Sequence, residues 1–409
     1  MLTMENTMTK SYIVLRGRPS DPNARHNWGP LGTRGTGPDI EPASTDDAAD
    51  FRAEIADLDP AQLQEANDDP DVLNLVPTDG PLKLIAPMAV SEPAMAPVNG
   101  GGSSWGLQAV GALDSLSTGR GIRVAVLDTG IDLTHPAFLP LLTTARVVVR
   151  NFTNGAPDNV SDTHGHGTHC AGTIAGGEVA GQRIGIAPGI ERLIVGKVLG
   201  EGGNTNGALI KAIDWAVAEG AHIVSMSLGI DFPGMVDKLI KKEHMPPPAA
   251  TSKALKEYRE TVGLFGKLAD SMSARNVLLV AATGNESERP GYTIDVTPPA
   301  ASEHVLKVGA VGMANGALTI ARFSNTGPDL VAPGVDIVSA GRNGGLTSMS
   351  GTSMATPHVA GVAALWSERL RAANGQLFFR DLLVDLLGAV QPLNASRADV
   401  GRGLLRAPP

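Results

Sequence analysis

The chain predicts an α/β fold of three layers, a mostly parallel sheet with helices on both faces, preceded by a small α+β unit. Two patterns carry that expectation. Nearly continuous Val/Ile/Leu runs recur at 122–127, 146–149, 193–198, 223–228, 277–281 and 305–311, as strands buried on both faces do. Between and after them, residues 166–175, 206–219, 252–275, 353–372 and 378–387 carry apolar positions at helical spacing, and strands alternating with helices build a parallel sheet. Ligands of such sheets meet the carboxyl ends of strands, which draws attention to Asp128 at the end of the first run.

Residues 1–98 read as a separate N-terminal unit. SYIVLRG (11–17) has strand character, and DDAADFRAEIADL (46–58) has helical spacing with Asp-rich first-turn positions. Residues 58–77 give a short helix, a turn and another strand, while the Pro/Gly-rich stretch 18–45 predicts disorder. PMAVSEPAMAPVNGGGSS (87–104) is a linker, because Pro, Ala, Gly and Ser build no core of their own. The main domain then occupies 105–409.

Composition narrows the class. At 409 residues and 42% hydrophobic, the chain can bury a large core and still carry an appended unit. Residues 37–80 hold 13 Asp/Glu against one Arg, a net of −12; the whole chain is −9, so the remainder sums to +3 and nothing points to nucleic acid. The one cysteine, Cys170, excludes an intramolecular disulfide. No apolar run reaches the length of a membrane span, and the first 30 residues lack the apolar stretch of a secretory signal. A cytoplasmic location is therefore expected, with another export route left open.

Chemistry concentrates in a few segments. GTSMATPHVAG (351–361) sets Ser353 among small residues where a loop becomes a helix. Small neighbours admit a carbonyl, and a helix start offers free N–H groups and a positive dipole end, which suit a nucleophile whose reaction builds an oxyanion. GIRVAVLDTGID (121–132) ends its β run at Asp128, and DTHGHGTHCAGT (162–173) brings His166 near the first turn of a helix. VLLVAATGNES (277–287) carries Asn285, with Gly284 beside it to turn the loop inward. Amide hydrolysis needs a nucleophile, a base that becomes an acid, and a place for negative oxygen. Ser353, His166 oriented by Asp128, and the free N–H groups of the helix start that carries Ser353 meet those needs.

Plainer readings stand beside these. A lone Asp128 would read as the cap of the following turn. His164, His166 and His169 invite a metal, yet no carboxylate or thiolate completes a zinc spacing, so no metal is predicted. Cys170 falls four residues after His166, on the same helical face, and reads as a small buried filler rather than a nucleophile. His169 and His358 read as structural.

Asp, His and Ser follow in that chain order, 38 and 187 residues apart, and with SMSLG (225–229) these segments resemble the subtilisin-like serine peptidases (subtilases) over about 105–405. The resemblance implies a serine endopeptidase with Asp128, His166 and Ser353 as its triad and Asn285 in the oxyanion hole. Substrate would lie extended against Ser227, Leu228 and Gly229 and against a glycine-rich stretch that includes Gly203. Glu286 would lie at the mouth of the primary pocket, favouring a basic residue there or simply facing solvent.

The same resemblance makes residues 1–98 a propeptide, both chaperone and inhibitor, and makes the linker the place of self-cleavage. Partners are then protein or peptide substrates and the chain's own prosegment. No organic cofactor is implied. His135-Pro136-Ala137-Phe138 lacks an aspartate, and GGEVAGQR (176–183) an asparagine, that help many subtilases hold calcium; a tight calcium site is expected to be missing, weaker ones staying open. Residues 232–253, with Lys238, Lys241, Lys242 and a proline run, form an insertion that either walls the subsites before the scissile bond or is a solvated surface. The rival expectation from another class is a catalytically silent peptide-binding module of the same fold.

Overall fold

The computed structural model describes residues 9–17, 51–78, 80, 82–87, 102–200, 205–230 and 232–409. In the N-terminal unit, strands β1 (Lys10–Gly17), β2 (Phe51–Leu58) and β3 (Val72–Pro77) form an antiparallel sheet in the order β2-β1-β3. Helix α1 (Pro60–Asp68) connects β2 to β3. It starts where it does because Asp59 accepts from the N–H groups of Ala61 and Gln62 while the Gln62 side chain accepts from the Asp59 N–H, a reciprocal cap.

β2 corrects the helix expected over 46–58. Phe51, Ala53 and Ile55 also alternate at strand spacing, and eight residues pair with β1 from Lys10 opposite Leu58 to Gly17 opposite Phe51. A ladder of that length outweighs the modest helix preference of Ala and Glu. Residues 46–50, the stretch 18–45 and most of the linker lie outside the described residues. A short strand, β4 (Leu82–Leu84), follows β3.

Beyond it the predicted alternation is present. The elements that matter for the site are β5 (Arg123–Asp128), β6 (Val147–Asn151), α2 (His166–Ala175), β7 (Arg192–Lys197) and α3 (Asn206–Ala218). There follow β8 (Ile223–Met226), β9 (Leu228–Ile230), α4 (Phe232–Lys241), α5 (Pro247–Ala274) and β10 (Leu278–Ala282). The chain closes with β11 (Val305–Ala314), β12 (Leu330–Pro333), α6 (Thr352–Asn374) and α7 (Phe379–Gly388), then β13 (Val390–Gln391) and β14 (Leu404–Leu405). The main sheet runs β13-β14-β12-β11-β10-β8-β5-β7-β6 and is parallel except for β13 and an added hairpin strand, Ala317–Ile320. From β7 the chain crosses to β8 on the far side of β5, so the strand order reverses around β5 and opens a crevice at its carboxyl end.

Alternation along the strands explains the three layers. Val124 and Val126 of β5 and Leu193 and Val195 of β7 join one core with α2 and α6, whereas Ala125, Leu127 and Ile194 join another with α3 and α5. Phe265 of α5 is fully buried in the second core, where truncation to Ala would cost about 3–5 kcal/mol. Ile13, Leu15 and Val76 of the N-terminal sheet belong to that same core. Lys267 of α5 donates to the Leu73 carbonyl, and Asn74 donates to that of Glu260 at 3.4 Å, so β3 is seated on α5.

The stretch 232–253, expected to be an insertion, folds as α4 plus the first turns of α5. Met235 and Leu239 are buried in the second core, while Lys238, Lys241 and Lys242 stay exposed. No helix among the described residues is long and apolar enough to cross a membrane.

Candidate active site

Asp128 is the last residue of β5, and His166 opens α2. Gly167 lets the helix lie against the strand end: a Cβ there would fall 2.2 Å from the Gly130 carbonyl oxygen and 3.2 Å from the Asp128 Cβ. His166 Nδ1 donates to Asp128 Oδ1 at 2.7 Å, with both side chains buried. The same oxygen accepts from the Thr129 N–H at 2.7 Å. Burial opposes charge on the imidazole, but the carboxylate of Asp128 overcomes it and raises the His166 pKa well above 6.5. Nε2, the other ring nitrogen, is buried and has no hydrogen-bond partner among the described residues.

A second buried carboxylate, Asp162, ties the two elements together. It accepts from the Gly165 N–H (2.7 Å), the Thr168 N–H (2.9 Å) and Thr168 Oγ1 (2.7 Å) at the start of α2, and from Thr129 Oγ1 (2.9 Å) beside Asp128. Thr129 Oγ1 in turn accepts from the Gly167 N–H at 2.9 Å. Burial pushes the Asp162 carboxyl up, yet the hydrogen bonds from Thr168 and Gly165 win and hold it below its ordinary value. Sequence reasoning missed this residue; its signal was an Asp three positions before the glycine that starts a helix.

Ser353 sits in the first turn of α6, and its carbonyl accepts from Ser227 Oγ at 3.1 Å. Cys170 lies where its spacing placed it, beneath the imidazole, with Sγ 3.8 Å from His166 Nδ1 and 3.5 Å from the Ser353 carbonyl oxygen. Burial raises its pKa and keeps the thiol protonated at neutral pH. Among the described residues, Asp128, His166 and Cys170 are the cluster whose ligand atoms come close enough to hold a metal, within 4.8 Å of one another. His169 turns elsewhere, with Nε2 donating to the Ile337 carbonyl at 2.8 Å.

Asn285 is aimed by its neighbours. Gly284 adopts a φ of +114°, and Asn285 Oδ1 accepts from both the N–H and Oγ1 of Thr352, each at 2.8 Å. The amide Nδ2 therefore faces the cleft. Glu286 is partly committed: its Oε2 accepts from Asn325 Nδ2 at 2.7 Å. Together with Phe232, Pro233, Asp295 and Thr297 it lines a cavity of about 510 Å³, so two residues of the 232–253 stretch wall a space beside the cleft. In the loop that lacks the expected asparagine, the Arg183 guanidinium donates to the carbonyls of Gly185 and Ile186, each at 3.1 Å.

The cleft itself holds a piece of the same chain. β4 pairs antiparallel with β9, placing Leu84 opposite Leu228, Lys83 opposite Gly229 and Leu82 opposite Ile230. Ser353 Oγ donates to the Ile85 carbonyl at 2.8 Å rather than meeting His166, and Asn285 Nδ2 donates to the Ala86 carbonyl at 2.9 Å. Leu228 and Gly229 thus border an extended peptide, with Ser227 beside Ser353, whereas Gly203 lies outside the described residues. The apolar run LKLI ahead of the linker was the available signal for this segment.

Comparison with known sequences agrees with the geometry. Residues 119–388 match the profile of the subtilase family. A protein named intracellular serine protease from Paenibacillus polymyxa is 36% identical over 292 residues, covering 70% of this chain and 79% of that relative. The major intracellular serine protease of Bacillus subtilis (strain 168) is 37% identical over 296 residues, covering 70% and 81%. Subtilisin Savinase of Lederbergia lenta is 35% identical over 269 residues, covering 65% and 84%. On these matches the chain belongs to the subtilase family of serine peptidases.

Proposed function

We propose that the chain is an endopeptidase made as a self-processing precursor, with Ser353, His166, Asp128 and Asn285 as its machinery. Ser353 Oγ attacks the scissile carbonyl carbon, and its proton passes to His166 Nε2, which later returns it to the leaving amine. Asp128 holds the proton on Nδ1 and stabilises the imidazolium through its 2.7 Å hydrogen bond. Asn285 Nδ2 and the Ser353 N–H receive the oxyanion. When Ser353 Oγ rotates from the Ile85 carbonyl, the unpartnered His166 Nε2 is its acceptor.

The observation that carries the inhibitor reading is the split between two carbonyls. Ser353 Oγ addresses Ile85 while the oxyanion donor Asn285 holds the next carbonyl, Ala86. Attack requires nucleophile and donor on one carbonyl, so the segment fills the cleft without presenting a bond to be cut. Pro87 directly follows. Cleavage would fall in the linker beyond it. The word "intracellular" in the names of the Paenibacillus and Bacillus relatives supports action inside the cell.

Purified Ser353→Ala should persist at the full chain mass of 42.2 kDa, whereas the parent is trimmed within the linker, as mass spectrometry would read directly. Normal trimming of the pure variant would refute self-processing through Ser353.

A further inference from the structure

We propose that the amino end of α3 is a remote substrate subsite that takes an acidic side chain. This rests on the reading that residues 78, 80 and 82–86 lie where substrate lies. α3 begins after Thr205, whose Oγ1 accepts from the Ala208 N–H at 3.2 Å, and no acidic residue occupies its first turn. Two of its remaining amides are met by the N-terminal unit: the Asn206 N–H donates to the Gly80 carbonyl at 3.1 Å and the Gly207 N–H to that of Thr78 at 3.3 Å. When that segment leaves, both amides and the positive dipole end lose their partners.

A second observation points to a ligand. The Asn206 side chain is 0% exposed, yet neither its Nδ2 nor its Oδ1 has a hydrogen-bond partner among the described residues. Such a group is costly unless something comes to satisfy it. Nδ2 is also directed at the peptide path, because a Cβ built on Gly80 would fall 2.3 Å from it. Any side chain at that place must turn the end of the Asn206 amide aside, and a carboxylate that does so meets an amide donor at a helix amino end. A short carboxylate fits that chemistry, accepting from Asn206 Nδ2 and the exposed backbone N–H groups. The glycine of the chain's own segment leaves the donor unanswered, which suits a segment that must eventually be released. Register locates the subsite: Gly80 lies two residues before Leu82, the partner of Ile230.

The test uses processed wild-type enzyme and p-nitroanilides of the peptide TSGPLKLIA, with Asp, Asn or Lys placed in turn at each of its first four positions. We expect Asp at one position to lower KM about tenfold relative to the isosteric Asn, with kcat unchanged and the gain screened at high salt. Asn206→Leu should bring the Asp-to-Asn ratio close to one. Equal KM values for Asp and Asn at all four positions would overturn the proposal, as would an Asp preference that survives Asn206→Leu. Release of p-nitroaniline from the Asn peptides keeps the peptidase reading intact in either case, and its absence from all peptides would sink both.

Discussion

His169 and His358 are fully buried neutral imidazoles, and together they set how the fold responds to acid. His169 donates from Nε2 to the Ile337 carbonyl and its pKa is pushed down to about 3, chiefly by burial. His358 donates from Nδ1 to the Met354 carbonyl at 2.7 Å and is pushed down by burial to about 4. In the unfolded chain both titrate near 6.5. A histidine whose folded value lies below its unfolded one stabilises the fold above pH 6.5 and loses that contribution as the pH falls. Between about pH 7.5 and about pH 5 the loss is roughly 2 kcal/mol for each, about 4 kcal/mol for the pair, out of a typical total of about 5–15 kcal/mol. His166 works in the opposite sense, since its folded value is raised and its contribution is complete in acid. The measurement must therefore isolate the pair. His169→Gln and His358→Asn keep an N–H for the same carbonyls, and a Ser353→Ala background prevents self-digestion. Guanidinium unfolding should show the parent losing about 4 kcal/mol more than the double variant between those two pH values. Losses that agree within about 1 kcal/mol would mean that these imidazoles are not held neutral.

Three further outcomes follow from the site. Because His166 must be neutral to accept a proton and its pKa is raised, the acid limb of kcat/KM should lie above pH 6.5; Asp128→Asn should move it down and cost on the order of 10⁴ in kcat, and an unmoved limb would remove Asp128 from the relay. Asp162→Asn places an NH₂ against hydrogen-bond donors on both sides, so kcat should fall at least about tenfold, with the acid limb shifted to lower pH and KM little changed; a folded variant with the parent pH profile would reduce Asp162 to a purely structural role. A mercurial bound at Cys170 Sγ, 3.8 Å from His166 Nδ1, should displace the imidazole and abolish activity, and Cys170→Ser should restore resistance; persistent inhibition of that variant would place the target elsewhere.

Much of the architecture was legible because it is written in side-chain pattern. Strands buried on both faces must be apolar at every position, so Arg123–Asp128, Arg192–Lys197 and Leu278–Ala282 emerged within a residue or two of their observed limits. Phe51–Leu58 did not, because its alanines and acids satisfy both helical and strand spacing, and the choice was made by pairing with a strand more than thirty residues away in sequence. Side-chain types also pointed to Asp128, His166 and Ser353, since few residues can supply a nucleophile and an oriented base, whereas Asn285 emerged from the resemblance of its segment to the family's.

What escaped notice works through the backbone. Asp162 holds, beside the hydroxyls of Thr129 and Thr168, N–H groups that any residue presents, so its value depends on where α2 begins as well as on its neighbours' identities. The segment Leu82–Leu84 adds itself to β9 by main-chain pairing, and the Ile85 and Ala86 carbonyls could belong to almost any amino acid. An inhibitory peptide of this kind differs from a substrate in how its carbonyls meet the two groups. Attack needs Ser353 and Asn285 on a single carbonyl, whereas the seated segment divides them between two. Ile13, Leu15 and Val76, buried in the core that α5 shares with the N-terminal sheet, hold that segment from the far end of the unit. Weakening that core, for example with Leu15→Ala, should therefore raise the rate of self-processing as well as lower stability, and a destabilised variant processed no faster than the parent would separate the sheet from control of the cleft.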